Sequence, residues 1–476
     1  MTRRLSGASR LAPLASGAAV LVLSGCTVLG PAYERPEVAQ VESFSMADSG
    51  APASLPNDWW RAFGDGELDR LIERALEQNA DLRIALARVE EVRALAGVAR
   101  SQRLPEIGVA AGSSRSGLSE AAGETGPGGP DEVERHQIAA TFAWEIDVWG
   151  RLRRQTRAAE ADLLATEYGA AAVRTSLVAA VTGTYFDLLT LERQLQIARD
   201  TTTSRGEALD LQNLRLDSGV ISEFEVSQAR AELAAARSTV PQFEQAVQET
   251  RGRLALLLGD VALAERTVRT TDLATMTLPP VPAGLPSTLL ERRPDVAAAE
   301  QGLIAAHARV GVAKAAYFPT LSLTAAGGSA SQEFSDLFSS NASIWNVAAN
   351  LVGPLFNAGR TGRQVAAARA RETQALENYR QLVRSAFVDV QDALSAQRTG
   401  AARREALADQ ADALADAYRL AQLRYDAGSS SYLEVLDAQR SLFRAQLDLV
   451  AAQSGELQAA VRLFQSLGGG FTAASQ

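Results

Sequence analysis

Three sets of residues mark where this 476-residue sequence could do chemistry. Cys26 is the only cysteine, so it closes no disulfide and is an acylation site, a nucleophile or an inert packed thiol. Glu434 and Asp437 lie three residues apart in a helical pattern, which puts two carboxylates on one helix face; taken alone, such a pair is solvated surface. The two histidines, His136 and His307, have no partners that suggest a metal. No phosphate loop, metal cluster or nucleophile–histidine pair appears elsewhere, so an enzyme is not expected: no catalytic residue, no metal, no cofactor.

The cysteine is best read from what precedes it. Arg3, Arg4 and Arg10 lead into an apolar run from Leu11 to Leu23, too short for a stable membrane span but right for the core of an export signal. The run ends in Leu23-Ser24-Gly25-Cys26, which resembles the lipobox of bacterial lipoproteins. That resemblance implies removal of residues 1–25 and a diacylglycerol and an N-acyl chain on Cys26, enough buried CH₂ for stable anchoring. Thr27 after the cysteine, rather than aspartate, resembles lipoproteins sorted to the outer membrane.

Composition narrows the class. The formal charge is −9 and charged residues make up 22%, which describes a folded, water-exposed chain. A disordered chain, a polytopic helical membrane protein and a basic nucleic-acid binder all fit poorly.

The elements that must position these residues are written twice. Leu214-Arg-Leu-Asp-Ser-Gly219 matches Leu423-Arg-Tyr-Asp-Ala-Gly428, and Glu225-Val226 matches Glu434-Val435, at one constant offset. Gly97-Val-Ala-Arg100 matches Gly311-Val-Ala-Lys314 five residues further out. The reading is a tandem repeat of helix, hairpin, helix, helix over residues 67–262 and 287–470. A Pro-rich connection over 263–286 joins the copies, an anchored segment over 26–66 precedes them, and a short tail over 471–476 follows.

Within each copy the apolar residues step by three and four. Val226, Ala229, Leu233, Ala236, Val240, Phe243, Val247, Thr250, Leu254 and Leu257 form one seam, and nothing breaks the pattern from about Leu152 to Leu216. A helix of that length runs roughly 100 Å at 1.5 Å per residue, so the helices must pack as hairpins. The turns fall at Gly219 and Gly428, and Pro241 is expected to bend its helix without ending it.

Between the helices the period drops to two. Ile138, Ala140, Phe142, Trp144, Ile146 and Val148 alternate with more polar residues, as do Leu321, Leu323 and Ala325, and Trp345, Val347, Ala349 and Leu351. A weaker fourth strand follows Pro105. Strands of about 10 residues with one greasy face and one polar face suit a membrane barrel with a wet lumen, and equally a soluble sheet over a helical core; export with a lipid anchor favours the barrel. Four strands close nothing, and open edges are costly in hydrocarbon, so the chain must oligomerise. Eight strands from a dimer would be filled by side chains, whereas twelve from a trimer leave a channel.

At this point the sequence resembles the TolC-type outer-membrane factors, in the lipid-anchored OprM/NodT subgroup of efflux channels. The matching residues are Gly30-Pro31-Ala-Tyr33, Trp59-Trp60, Glu291-Arg-Arg-Pro-Asp295, Gly311-Val-Ala-Lys314, Leu355-Phe-Asn-Ala-Gly-Arg360 and Tyr432-Leu-Glu-Val-Leu-Asp-Ala-Gln439. The resemblance implies a mainly α fold with a homotrimeric twelve-strand β-barrel on a periplasmic α-barrel of long antiparallel helices. It also implies an adaptor, an inner-membrane pump of the resistance-nodulation-division type, outer-membrane lipids as surroundings and no nucleic acid.

Residue by residue, it implies that Glu434 and Asp437 line the periplasmic constriction and that the turns at Gly219 and Gly428 meet the adaptor. Tyr425 and Glu225 would tie helices in the closed state, with Ser430 standing where the best-known member has a latch arginine. Trp144 and Trp345 are candidates for the membrane-interface girdle, and Trp59 and Trp60 for packing in a small belt domain. The competing readings are an exit duct for type I protein secretion and a lipid-anchored scaffold with no pore.

Overall fold

A computed structural model of the protein describes residues 33–37, 56–119, 132–265 and 292–471, with the single positions 122, 273, 276 and 278. Cys26, the signal segment, the prolines of the inter-repeat connection and residues 472–476 lie outside these described residues. In chain order the elements are α1 (Gly66–Gln78), α2 (Ala80–Ser101), β1 (Glu106–Gly117), β2 (Glu132–Ile146), α3 (Arg151–Asp217), α4 (Glu223–Leu257), α5 (Pro294–Ala315), β3 (Thr320–Ser331), β4 (Ser343–Val352), α6 (Arg360–Asp426) and α7 (Tyr432–Ser466). Among the described residues no helix is long and apolar enough to cross a membrane.

The repeat holds to the residue. Helices α3 and α6 each have 67 residues, and α4 and α7 each have 35, every boundary displaced by 209. The upstream pair α2 and α5 have 22 residues each, and β1 and β3 have 12 each, displaced by 214. The difference of five is taken up in the hairpin between the strands, where nothing but loop length has to give.

The chain divides into two compact units. One takes Glu90–Ala165 and Glu300–Asn378 and contains the sheet; the other takes Glu37–Val89, Thr166–Ala299 and Tyr379–Gln476. In the second unit the expected seam of α4 is the buried face: Val226, Ala229, Leu233, Ala236, Val247, Thr250 and Leu254 are buried, and Val240, Phe243 and Leu257 partly so. Pro241 lies inside α4, which continues past it. Trp59 and Trp60 are buried, with Trp59 stacked on Phe464 at 5.0 Å between ring centres. Asp65 caps α1 by accepting from the backbone of Glu67, and its other oxygen accepts from the buried Tyr185 hydroxyl at 2.7 Å. Both carboxylate oxygens of the buried Asp65 thus have a partner, as burial requires.

The Glu291-Arg-Arg-Pro-Asp295 motif does more than start a helix. Pro294 opens α5, and Asp295 accepts from the Val296 amide. Arg293 folds back onto Asp295 at 2.8 Å and also reaches Asp389 at 2.9 Å. Burial opposes the charge on Arg293, but these two carboxylates outweigh it and hold its pKa above the usual value.

In the first unit the four strands form one antiparallel sheet in the order β1-β2-β3-β4. The expected strand runs to Val148, but β2 ends at Ile146, and Val148 lies in a bend where its amide bonds to the Ile146 carbonyl. His307, which reads as an isolated helix residue, has its Nδ1 2.6 Å from a Glu372 carboxylate oxygen and its ring against Tyr33.

Candidate functional site

Two regions carry the residues singled out by sequence: the sheet in one unit and the helix turns in the other. In the sheet, directly opposed residues share a face. Ile107, Phe142, Ala325 and Val347 are opposed in series, as are Val109, Ala140, Gly327 and Trp345. The neighbouring rows are Gly108, Thr141, Ala326 and Asn346, and Ala110, Ala139, Gly328 and Ile344. One face is therefore largely aliphatic and aromatic, and the other is mostly small or polar. Strands β1 and β4 are the edges, and their apolar side chains stand open, with Ile107 77% and Trp345 80% exposed.

Trp144 and Trp345 lie on the same apolar face but not at one height. Trp144 is opposite Leu323 and Trp345 opposite Gly327, four residues apart along β3. At about 3.4 Å per residue that is roughly 14 Å, so they do not form a single ring. The indole N–H of Trp144 donates to the Arg103 carbonyl at 3.1 Å, which satisfies it within the chain.

At the turns, Gly219 and Gly428 both sit at φ 72°. Each closes its helix in the same way: Val220 N–H reaches the Arg215 carbonyl and Ser429 N–H the Arg424 carbonyl, both at 2.9 Å. A side chain at a positive φ is strained, which explains glycine at both turns.

Beyond the turns the two copies part company. In the first, Glu225 accepts from the backbone and hydroxyl of Ser222 at 2.7 and 2.6 Å, forming a capping box at the start of α4. The Ser222 hydrogen bonds hold the Glu225 carboxyl below the usual range. In the second copy the equivalent Glu434 pairs with Arg424 at 3.4 Å. Glu434 and Asp437 are both exposed, one turn apart on α7.

Within one chain Tyr425 and Glu225 each take another partner. The Tyr425 hydroxyl donates to the Gln212 side-chain oxygen at 2.9 Å, and Glu225 is engaged by Ser222 in its own helix cap. Arg215 lies over the Tyr425 ring at 4.8 Å and donates to Asp426 at 3.0 Å. Ser430, at the position of the missing arginine, has its hydroxyl enclosed with no hydrogen-bond partner.

Sequence reading missed a buried charged contact here. Glu232 on α4 is buried and shared by two arginines: Arg205 of α3 pairs with it at 3.2 Å and also donates to its carbonyl, and Arg440 of α7 donates to it at 2.8 Å. The seam pattern gives α4 an apolar face with Glu232 beside Leu233, and only a partner's location could reveal the pairing. Burial lowers the Arg205 pKa, and the Glu232 charge opposes that shift. Nearby Tyr432 is also buried, and its pKa is pushed up to about 12 by that burial and by Tyr425, Tyr418 and Glu232.

Comparison with known proteins places this geometry. The chain matches the family described as outer membrane efflux protein twice, over residues 71–260 and 285–469. It is 34% identical over 461 residues to the solvent efflux pump outer membrane protein SrpC of Pseudomonas putida, covering 95% of this chain and 97% of that one. It is 32% identical to the probable outer membrane lipoprotein SilC of Salmonella typhimurium, covering 96% and 98%. The crystal structure of the open state of the MtrE outer membrane channel of Neisseria gonorrhoeae aligns with a TM-score of 0.85 at 29% identity, covering 93% of this chain and 98% of that one.

Proposed function

We infer the function from one premise: the chain belongs to the outer membrane efflux protein family. It is an outer-membrane exit channel of tripartite efflux, acting with an adaptor and an inner-membrane pump. It conducts passively. The finer reading is a homotrimer in which three four-strand sheets close a twelve-strand barrel around an aqueous lumen, above a periplasmic helical tunnel. The observation that carries it is the sheet with one apolar face, one small and polar face, and two unpaired edges.

Within that reading Cys26 bears the diacylglycerol and the N-acyl chain, and Trp345 faces lipid. The turns at Gly219 and Gly428 meet the adaptor, and the pump is of the resistance-nodulation-division type. Threefold symmetry collects Glu434 and Asp437 into six carboxylates, which favour cations. The cargo is drugs or other small toxic compounds, in keeping with the solvent efflux of SrpC. Planar-bilayer recording of the purified full-length protein tests this reading: discrete cation-preferring steps are expected, and protein that inserts but never conducts, even with its turns loosened by substitution, rejects it.

A further inference from the structure

The two faces of the sheet continue into the helices next to it. Glu145 stands in the polar row, opposite Ser322, and pairs at 2.6 Å with Arg151 at the start of α3. Arg151 lines one recess with Arg309 and Ala313 of α5 and Gln364 of α6, so that recess adjoins the polar face. Lys314 lies five residues beyond Arg309 and Arg369 five beyond Gln364, each about 140° round its helix. Both belong to a separate cleft of about 430 Å³ between α5 and α6, on the side continuous with the apolar face.

Three zones follow one another along that side. The last apolar row of the sheet is Ile146, Leu321 and Leu351. Aromatic rings come next: Phe318 stacks on Trp149 at 4.7 Å, and Tyr317 is exposed. Lys314 follows, the only lysine in the sequence, with Arg369 across the cleft. Apolar, aromatic, cationic is the order of groups met on leaving a bilayer for water. We propose that the cleft binds the phosphate of an anionic phospholipid in the leaflet nearest the helices, held between Lys314 and Arg369 beside the Tyr317 phenol. The inference rests on the reading of the sheet as part of an outer-membrane barrel.

Charge, shape and height support this site. Among the described residues neither Lys314 nor Arg369 forms an ion pair. The acids nearest in sequence on these two helices are engaged elsewhere, Glu372 by His307 at 2.6 Å and Glu300 by Arg35 at 2.9 Å. The cleft therefore carries two uncompensated positive charges. At Gly362 an added Cβ would lie 3.3 Å from the Tyr317 hydroxyl, so glycine there leaves the phenol its place in the cleft. The height follows from the segment that leads to the lipid anchor. The Tyr33 ring packs on His307, which precedes Lys314 on α5 by about two turns, roughly 10 Å. Cys26 is seven residues before Tyr33, a reach of at most about 25 Å. Acyl chains on Cys26 thus enter the membrane within reach of the cleft.

Lys314 offers a direct readout, because it is the one side-chain amine of the protein. Full-length protein is reconstituted in vesicles of phosphatidylcholine, with or without phosphatidylglycerol, and treated with an amine-acetylating reagent; mass spectrometry then follows the Lys314 peptide. Phosphatidylglycerol is expected to slow acetylation about fivefold, the equivalent of about 1 kcal/mol for one cation at an anionic surface. Arg369→Gln is expected to restore most of the rate, since the phosphate loses its second cation. Loss of a neighbouring positive charge by itself would do the reverse, making the amine more basic and slower to react. Equal rates in the two kinds of vesicle, or protection that survives Arg369→Gln, overturn the site. Equal protection by inorganic phosphate in phosphatidylcholine vesicles also overturns it, as a site for free anions. Protein that forms the heat-modifiable barrel but shows no lipid effect overturns this inference alone, and protein that never enters the vesicles overturns the barrel reading as well.

Discussion

The phenol of Tyr425 donates to Gln212 across 2.9 Å, joining the last turn of α6 to the C-terminal part of α3. The same two helix ends are tied by Arg215 to Asp426 at 3.0 Å. These contacts link the two repeats beside the turns.

Tyr425→Phe removes one neutral hydrogen bond worth about 1 kcal/mol, or about fivefold in an equilibrium. An increase of that order in open probability is expected in planar bilayers. Glu225→Ala is expected to leave open probability unchanged and to cost stability by breaking the helix cap, roughly 1 kcal/mol in denaturant melts. The opposite pattern would restore Glu225 as the partner.

Glu232→Ala leaves Arg205 buried without its carboxylate, a loss of about 3–5 kcal/mol. A large drop in melting temperature is expected. Arg440→Ala should cost less, because the Arg440 side chain is half exposed.

Tyr432 gives an alkaline signature. Its folded pKa of about 12 exceeds the ordinary 10.0, so the folded state favours the protonated phenol. That stabilisation is complete below pH 10 and is lost as pH rises towards 12, amounting to about 3 kcal/mol. Tyr432→Phe should flatten stability against pH across that window, measured by denaturant unfolding at each pH.

At Gly328 an added Cβ would lie 2.0 Å from the Ile138 carbonyl oxygen, whereas at neighbouring Gly327 it would meet nothing within 4 Å. Gly328→Val is expected to abolish the folded, heat-modifiable form on gels, and Gly327→Ala to retain it.

Replacing Glu434 and Asp437 together by alanine should reduce cation preference and block by multivalent cations. Reversal potentials under a salt gradient measure this, and unchanged selectivity rejects the filter assignment. Because Arg424 lies 3.4 Å from Glu434, Arg424→Ala should move selectivity the other way.

Much of the fold was legible because it is periodic. The step of three and four marked the helix from Leu152 to Leu216 within one residue of its observed ends at Arg151 and Asp217, and glycine at 219 and 428 marked the turns. The alternation in 138–146 and 345–351 gave the faces of the sheet, since one face must exclude water and the other must not. What sequence did not decide was which side chains meet across helices. Tyr425 had Glu225 and Gln212 as available partners, and the capping requirement of α4 took the glutamate. Glu232 looked like a charge at the margin of an apolar seam until α3 and α7 placed Arg205 and Arg440 around it. Periodicity is a property of one element and survives in one dimension; partner choice depends on distances between elements hundreds of residues apart, and only packing fixes those.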